Sequence, residues 1–144
     1  MNNSQLTPKN AMTTKLDTKT KLSTLWIVVM FNMAYADILS FYIPGKHEEL
    51  AAFAGDTPVS QLMLAGAIVL EIPILMIFLS RILNYSANRW ANIIAGISMI
   101  MFAIGPEIGN DSIDPHYIFI ATVEILCMLL IIRTALKWPS PENG

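Results

Sequence analysis

Three carboxylates stand inside otherwise apolar runs of this sequence: Asp37, Glu71 and Glu124. A charged side chain at the centre of a bilayer costs about 2.5–3.5 kcal/mol even on insertion scales. Such a residue faces a protein interior, pairs with another polar group, or holds a proton. Counted along helices at about 1.5 Å per residue, Glu71 lies near the middle of its run. Glu124 lies roughly 13 Å and Asp37 roughly 9 Å from the outer ends of theirs. Asn32 falls about one and a half turns deeper than Asp37, close to the level of Glu71, and Tyr35 stands between the two.

Two chemistries fit this stepwise inward placement. One is a polar cavity open to the outer face, with Glu71 as its floor and Asp37, Glu124, Asn32 and Tyr35 as candidate lining groups. It would suit proton-linked work or an ion or small molecule of unidentified kind. The other is hydrogen-bonding glue between helices, since interhelical polar contacts average about 0.6 kcal/mol and are common in bundles. Asp37, nearest the surface, could also snorkel outward. Pro73 has no amide hydrogen, so the Val69 carbonyl loses its usual partner and a kink is expected. That kink either shapes a pocket beside Glu71 or merely shapes the bundle.

Other chemistries lack residues. Cys127 is the single cysteine, so no intrachain disulfide can form. No Cys/His cluster, Ser/His/Asp set, Walker loop or HExxH motif occurs, so no catalytic residue, metal or cofactor is expected. His47 and His116 fall near the outer interface, where a lone histidine is usually solvated.

The elements that carry these residues follow from composition. Of 144 residues, 54% are hydrophobic and 14% charged. Soluble domains carry roughly 25% charged residues. The formal charge of −2 gives no basic surface for nucleic acid. Four apolar runs cover residues 22–43, 59–83, 90–108 and 116–138, each long enough to cross about 30 Å of hydrocarbon as a helix. Lipid offers no partners for free backbone groups, which favours helices, and the runs do not alternate as barrel strands would. The expected fold is therefore an all-α membrane protein, a four-transmembrane-helix bundle with up-down topology.

Turn chemistry marks the connections. Pro44-Gly45 stops the first run, Asp56-Thr57-Pro58 enters the second, and Asp114-Pro115 enters the fourth. The short link 84–89 makes the second and third runs an antiparallel hairpin. Residues 1–21, rich in Asn, Thr and Lys, read as a disordered tail, and 139–144 as a second, short tail.

Charge sets the expected orientation. Lys9, Lys15, Lys19, Lys21, Arg81, Arg89, Arg133 and Lys137 fall on one side of the runs, and only Lys46 on the other. The positive-inside rule then places both termini in the cytoplasm. Arg81 and Arg89 flank the hairpin as topology determinants, or as binders of anionic lipid or phosphate. Trp26, Trp90 and Trp138 fall near the same boundary, as interfacial anchors would. Ala34-Tyr35-Ala36 fits a signal-peptidase pattern, but apolar sequence continues through Ile43, which favours an uncleaved span.

Helical spacing suggests packing faces. Tyr117, Ala121, Glu124 and Met128 share one stripe, Asn92, Gly96 and Ala103 another, and Ala67 precedes Glu71 by one turn. Small residues let helices approach closely.

The segment from Leu22 to Gly45, LEIPILMIFLSRIL, NRWANIIAG and the glutamate-bearing last run resemble a family of small bacterial four-helix membrane proteins of unknown function. The resemblance covers about residues 22–138. It rests on Tyr35-Ala36-Asp37, Glu71-Ile72-Pro73, Ser80-Arg81, Asn88-Arg89-Trp90 and Glu124. It implies an uncleaved first span in a bacterial inner membrane, and no activity, substrate or cofactor. Two functions stay open: a small transport-type or proton-linked protein, which at this size would favour a homo-oligomer, and a non-catalytic component acting through helix–helix contacts with partners or itself.

Overall fold

The computed structural model describes residues 17–105 and 115–140. These residues form five helices: α1 Thr18–Ser40, α2 Lys46–Ala54, α3 Val59–Ile82, α4 Tyr85–Ile104 and α5 Pro115–Leu136. No strand occurs among them. All but α2 are long and apolar enough to cross a membrane.

The helix ends follow local chemistry. Gly45 takes φ +84° and Gly55 φ +55°, so the two turns around α2 use the left-handed backbone that glycine adopts without strain. Asn84 caps α4, its side-chain oxygen accepting from the Ala87 amide at 3.0 Å. That cap starts the third span at Tyr85, five residues before the apolar run begins. At the end of α3, the Lys19 ammonium donates to the Leu83 carbonyl at 2.6 Å and to the Arg81 carbonyl at 3.4 Å, a cation at a helix C-terminus.

α1 packs on α3 and α5, and α4 packs on α5 and, less extensively, on α3. The four long helices thus form a closed up-down bundle. Leu22, Trp26, Val29 and Met33 of α1 meet Met76 of α3, Ala95 and Met99 of α4, and Met128 and Ile131 of α5 in the core. Gly96 lets α4 approach α5 closely: a Cβ there would lie 2.9 Å from Cγ1 of Ile132. Outside, Phe31, Ile68, Phe78, Ile94, Phe119 and Leu126 are all exposed. Apolar cover on every side is a surface made for hydrocarbon rather than water. The chain is an all-α membrane protein with a four-helix spanning bundle.

The structure departs from the sequence reading in four places. Residues 18–21 belong to α1 rather than to a tail; the expected disorder of 1–16 lies outside the described residues, as do 106–108 of the third run and 141–144. The connection after the first span contains α2, too short and too charged to stand out as a run. Trp26 is fully buried, not an interfacial anchor, because its indole N–H finds a partner inside the bundle. Trp90 is exposed, and Trp138 meets Tyr85 edge-on with ring centroids 5.3 Å apart. Finally, Ala67 and Glu71 lie on the exposed face of α3, and Pro73, Met76 and Ser80 are its buried residues. α3 is apolar around its whole circumference, so its sequence carries no facing signal.

Candidate functional site

The most polar part of the interior lies near the end of the bundle where Lys19, Arg81 and Arg89 gather. Ser23, Trp26, Ser80, Asn88 and Asn92 are all fully buried there. Asn92 Oδ1 accepts from Trp26 Nε1 at 2.7 Å and from Ser80 Oγ at 3.3 Å. Its Nδ2 donates to the Asn88 carbonyl at 2.8 Å and to Asn88 Oδ1 at 2.6 Å. Two donors and two lone pairs are the whole capacity of an amide side chain, so Asn92 is saturated. Asn88 Nδ2 donates to the Ser80 carbonyl at 2.6 Å, and Ser23 Oγ donates to the Ile77 carbonyl at 2.8 Å. Ser23 Oγ in turn accepts from Arg81 Nε at 2.9 Å.

This network ties α1, α3 and α4 together. Its groups are spent on each other, which makes it a structural pin rather than a binding site. Sequence reasoning singled out Asn92 only as a member of a small-residue stripe. The signal that was available is that Ser80, Asn88 and Asn92 are polar residues at or near span ends, facing an otherwise apolar core.

The carboxylates lie toward the other end and are not brought to one point. Glu124 is buried in the bundle, and its Oε1 has no hydrogen-bond partner. Asp37, on α1, is exposed. Asn32 is half-buried at the same interface and donates to the Ile120 carbonyl of α5 at 2.9 Å. Tyr35 points outward, 57% exposed. The Tyr117 hydroxyl donates to the Ala103 carbonyl at 2.9 Å, joining α5 to α4.

Glu71 is separate from all of these. It was expected at the floor of a cavity, and it is instead exposed on the outer surface of α3. The reason is angular: Pro73 is buried against α1, and two residues along a helix at 3.6 residues per turn is a rotation of about 200°. The groove between α1 and α3 has a volume of about 120 Å³ and is lined by Met30, Met33, Ala34, Asp37, Leu70, Pro73 and Ile74. Asp37 is its one ionisable lining group. α3 runs unbroken through Pro73, which shapes this groove and has no buried carboxylate beside it.

Arg81 and Arg89 serve different helix pairs. Arg81 reaches Ser23 of α1, whereas Arg89 reaches the Tyr85 hydroxyl at 3.4 Å and the Leu136 carbonyl at 3.5 Å. The Arg89 Nε is buried without a partner. No group of three or more His, Cys, Asp or Glu able to hold a metal ion occurs among the described residues.

No curated protein and no solved structure was found to match the chain. A family match covers residues 12–143, nearly the full length and all four spans. The chain therefore belongs to DUF6326, a family of unknown function.

Proposed function

We propose that this protein is a non-catalytic membrane component that works through lateral helix–helix association. The observation that carries this reading is the position of Glu71, exposed on α3 twelve residues into a 24-residue span. Half the hydrocarbon thickness is about 15 Å, more than a glutamate side chain can reach, so snorkelling does not relieve it. A mid-span carboxylate on a lipid-facing surface costs about 2.5–3.5 kcal/mol, and a neighbouring protein surface relieves that cost. The saturated Asn88–Asn92 network and the small, mostly apolar groove leave little in the interior for a substrate to engage.

The reading is tested by extracting the protein from its membrane in copolymer discs and measuring particle mass. The wild type should run well above one 16.0 kDa chain, and Glu71→Leu should reduce it. A wild type that runs as a single chain overturns the reading.

A second reading is favoured by one observation, the partnerless Oε1 of buried Glu124. Unsatisfied buried groups in native structures often mark function. Here Glu124 would exchange a proton or hold a small cation through the outer half of the bundle. Liposomes carrying the protein and a pH-sensitive dye test it: Glu124→Gln should abolish any proton leak above that of protein-free liposomes. On the charge distribution, we place the Lys19–Arg81–Arg89 end, and with it both termini, on the cytoplasmic side of the membrane; the resemblance to small bacterial membrane proteins suggests that this is a bacterial inner membrane.

A further inference from the structure

We infer that the partner covering Glu71 is a second copy of this chain, seated α3 against α3 about a two-fold axis along the membrane normal. The inference rests on the lateral-association reading above and names its partner. On α3, Gln61, Leu64, Ile68, Glu71, Leu75 and Phe78 are all exposed, with alternating spacings of three and four residues. That spacing is the seam of a left-handed helix pair. At 1.5 Å per residue the seam runs about 26 Å, most of the hydrocarbon thickness.

Spacing alone does not single out α3. Val28 and Phe31 on α1, and Leu126 and Leu129 on α5, are exposed in the same rhythm. What distinguishes α3 is its chemistry: among the described residues, no other carboxyl occupies the middle of an outward face. Thr122, on the outer face of α5, already bonds the Ile118 carbonyl of its own helix at 2.7 Å.

Symmetry then selects the partner. All copies share one orientation across the membrane, so an isologous contact places each seam residue against itself at equal depth. Glu71 meets Glu71, and Gln61 meets Gln61. Both side chains are self-complementary, because an amide donates and accepts, and a carboxyl that holds a proton does the same. A different face of a second copy offers nothing comparable. Arg81, Arg89 and Arg133 lie at span ends, so among the described residues no cation stands at the depth of Glu71.

The experiment uses the full chain in native membranes with Cys127→Ser as background. Leu75→Cys on the seam is oxidised with copper phenanthroline beside Leu126→Cys on the outer face of α5. The expected result is an adduct of twice the chain mass for Leu75→Cys, at least fivefold more abundant than for Leu126→Cys. In discs, Glu71→Leu should weaken association roughly three- to twentyfold, the range of measured interhelical polar contacts. Glu71→Gln, which keeps a donor and an acceptor, should retain it, and unchanged circular dichroism shows that both variants fold. Equal adducts at the two positions, or unchanged association in Glu71→Leu, overturn the inference. An adduct to a different chain overturns it while lateral association stands; a wild type of single-chain mass overturns both.

Discussion

Trp26 and Asn92, sixty-six residues apart in sequence and both fully buried, are joined by a 2.7 Å hydrogen bond from the indole Nε1 to the side-chain oxygen. The bond puts one of the largest side chains in the core and the most connected amide of the bundle into a single unit. An orphaned buried donor or acceptor costs about 1–3 kcal/mol, more than the net gain of about 1 kcal/mol from a made bond. Asn92→Leu strips partners from Trp26, Ser80 and Asn88 together, and is expected to destabilise the bundle by about 2 kcal/mol or more. Trp26→Phe frees only one acceptor lone pair on Asn92 and should cost less. Thermal unfolding followed by circular dichroism at 222 nm in one detergent ranks the two; equal stability of Asn92→Leu and wild type would contradict the network.

The α4–α5 approach at Gly96 gives a second expectation. Gly96→Ala puts a methyl 2.9 Å from Cγ1 and 3.3 Å from Cδ1 of Ile132. Overpacking of this kind costs typically about 1–3 kcal/mol. Because the obstacle is a side chain, Ile132→Ala in the same molecule should recover part of the loss. A double-mutant cycle on unfolding free energy reads the coupling, and strict additivity would mean that the contact is not the cause.

At the end of α3, Lys19→Met removes the ammonium from the Leu83 and Arg81 carbonyls but keeps an apolar stem. A favourable cation at a helix C-terminus is worth about 0.3–1 kcal/mol. Global stability should change by no more than that. Amide exchange should rise locally at the α3–α4 turn and stay unchanged around Met99, where the core is fully buried.

Glu124 provides a test of opposite sign. A buried carboxyl oxygen without a partner costs about 1–3 kcal/mol, a penalty that an apolar residue of similar volume does not incur. Glu124→Leu should therefore unfold at a higher temperature than wild type. Asn32→Leu, which loses the 2.9 Å bond to Ile120, should unfold at a lower one. A less stable Glu124→Leu would show that the carboxyl is tied into the bundle.

Much of this architecture was legible in the residues. Four apolar runs and the Pro-Gly and Asp/Pro punctuation between them locate the spans, because hydrocarbon solvates apolar side chains and no backbone group. Asn92, Gly96 and Ala103, aligned by spacing, do face the core. The facing of Glu71 was not legible. α3 has apolar residues all round, and in lipid the outer face is as apolar as the inner one, so periodicity loses its meaning. The role of Trp26 was hidden for a related reason: a tryptophan near a span end reads as an anchor unless its partner, here Asn92 two spans away, is known. Depth along a helix could be counted, whereas azimuth needed the neighbours.

The Asn88–Asn92 pin lies near one end of the bundle, and its consequence is mechanical. Three helices are riveted by amide and hydroxyl groups there, whereas toward α2 the described cross-links between long helices are Asn32 to Ile120 and Tyr117 to Ala103. A bundle cross-linked more densely at one end is expected to open first at the other, so local opening between α1 and α3 should begin beside Asp37, next to the short helix flanked by the two positive-φ glycines.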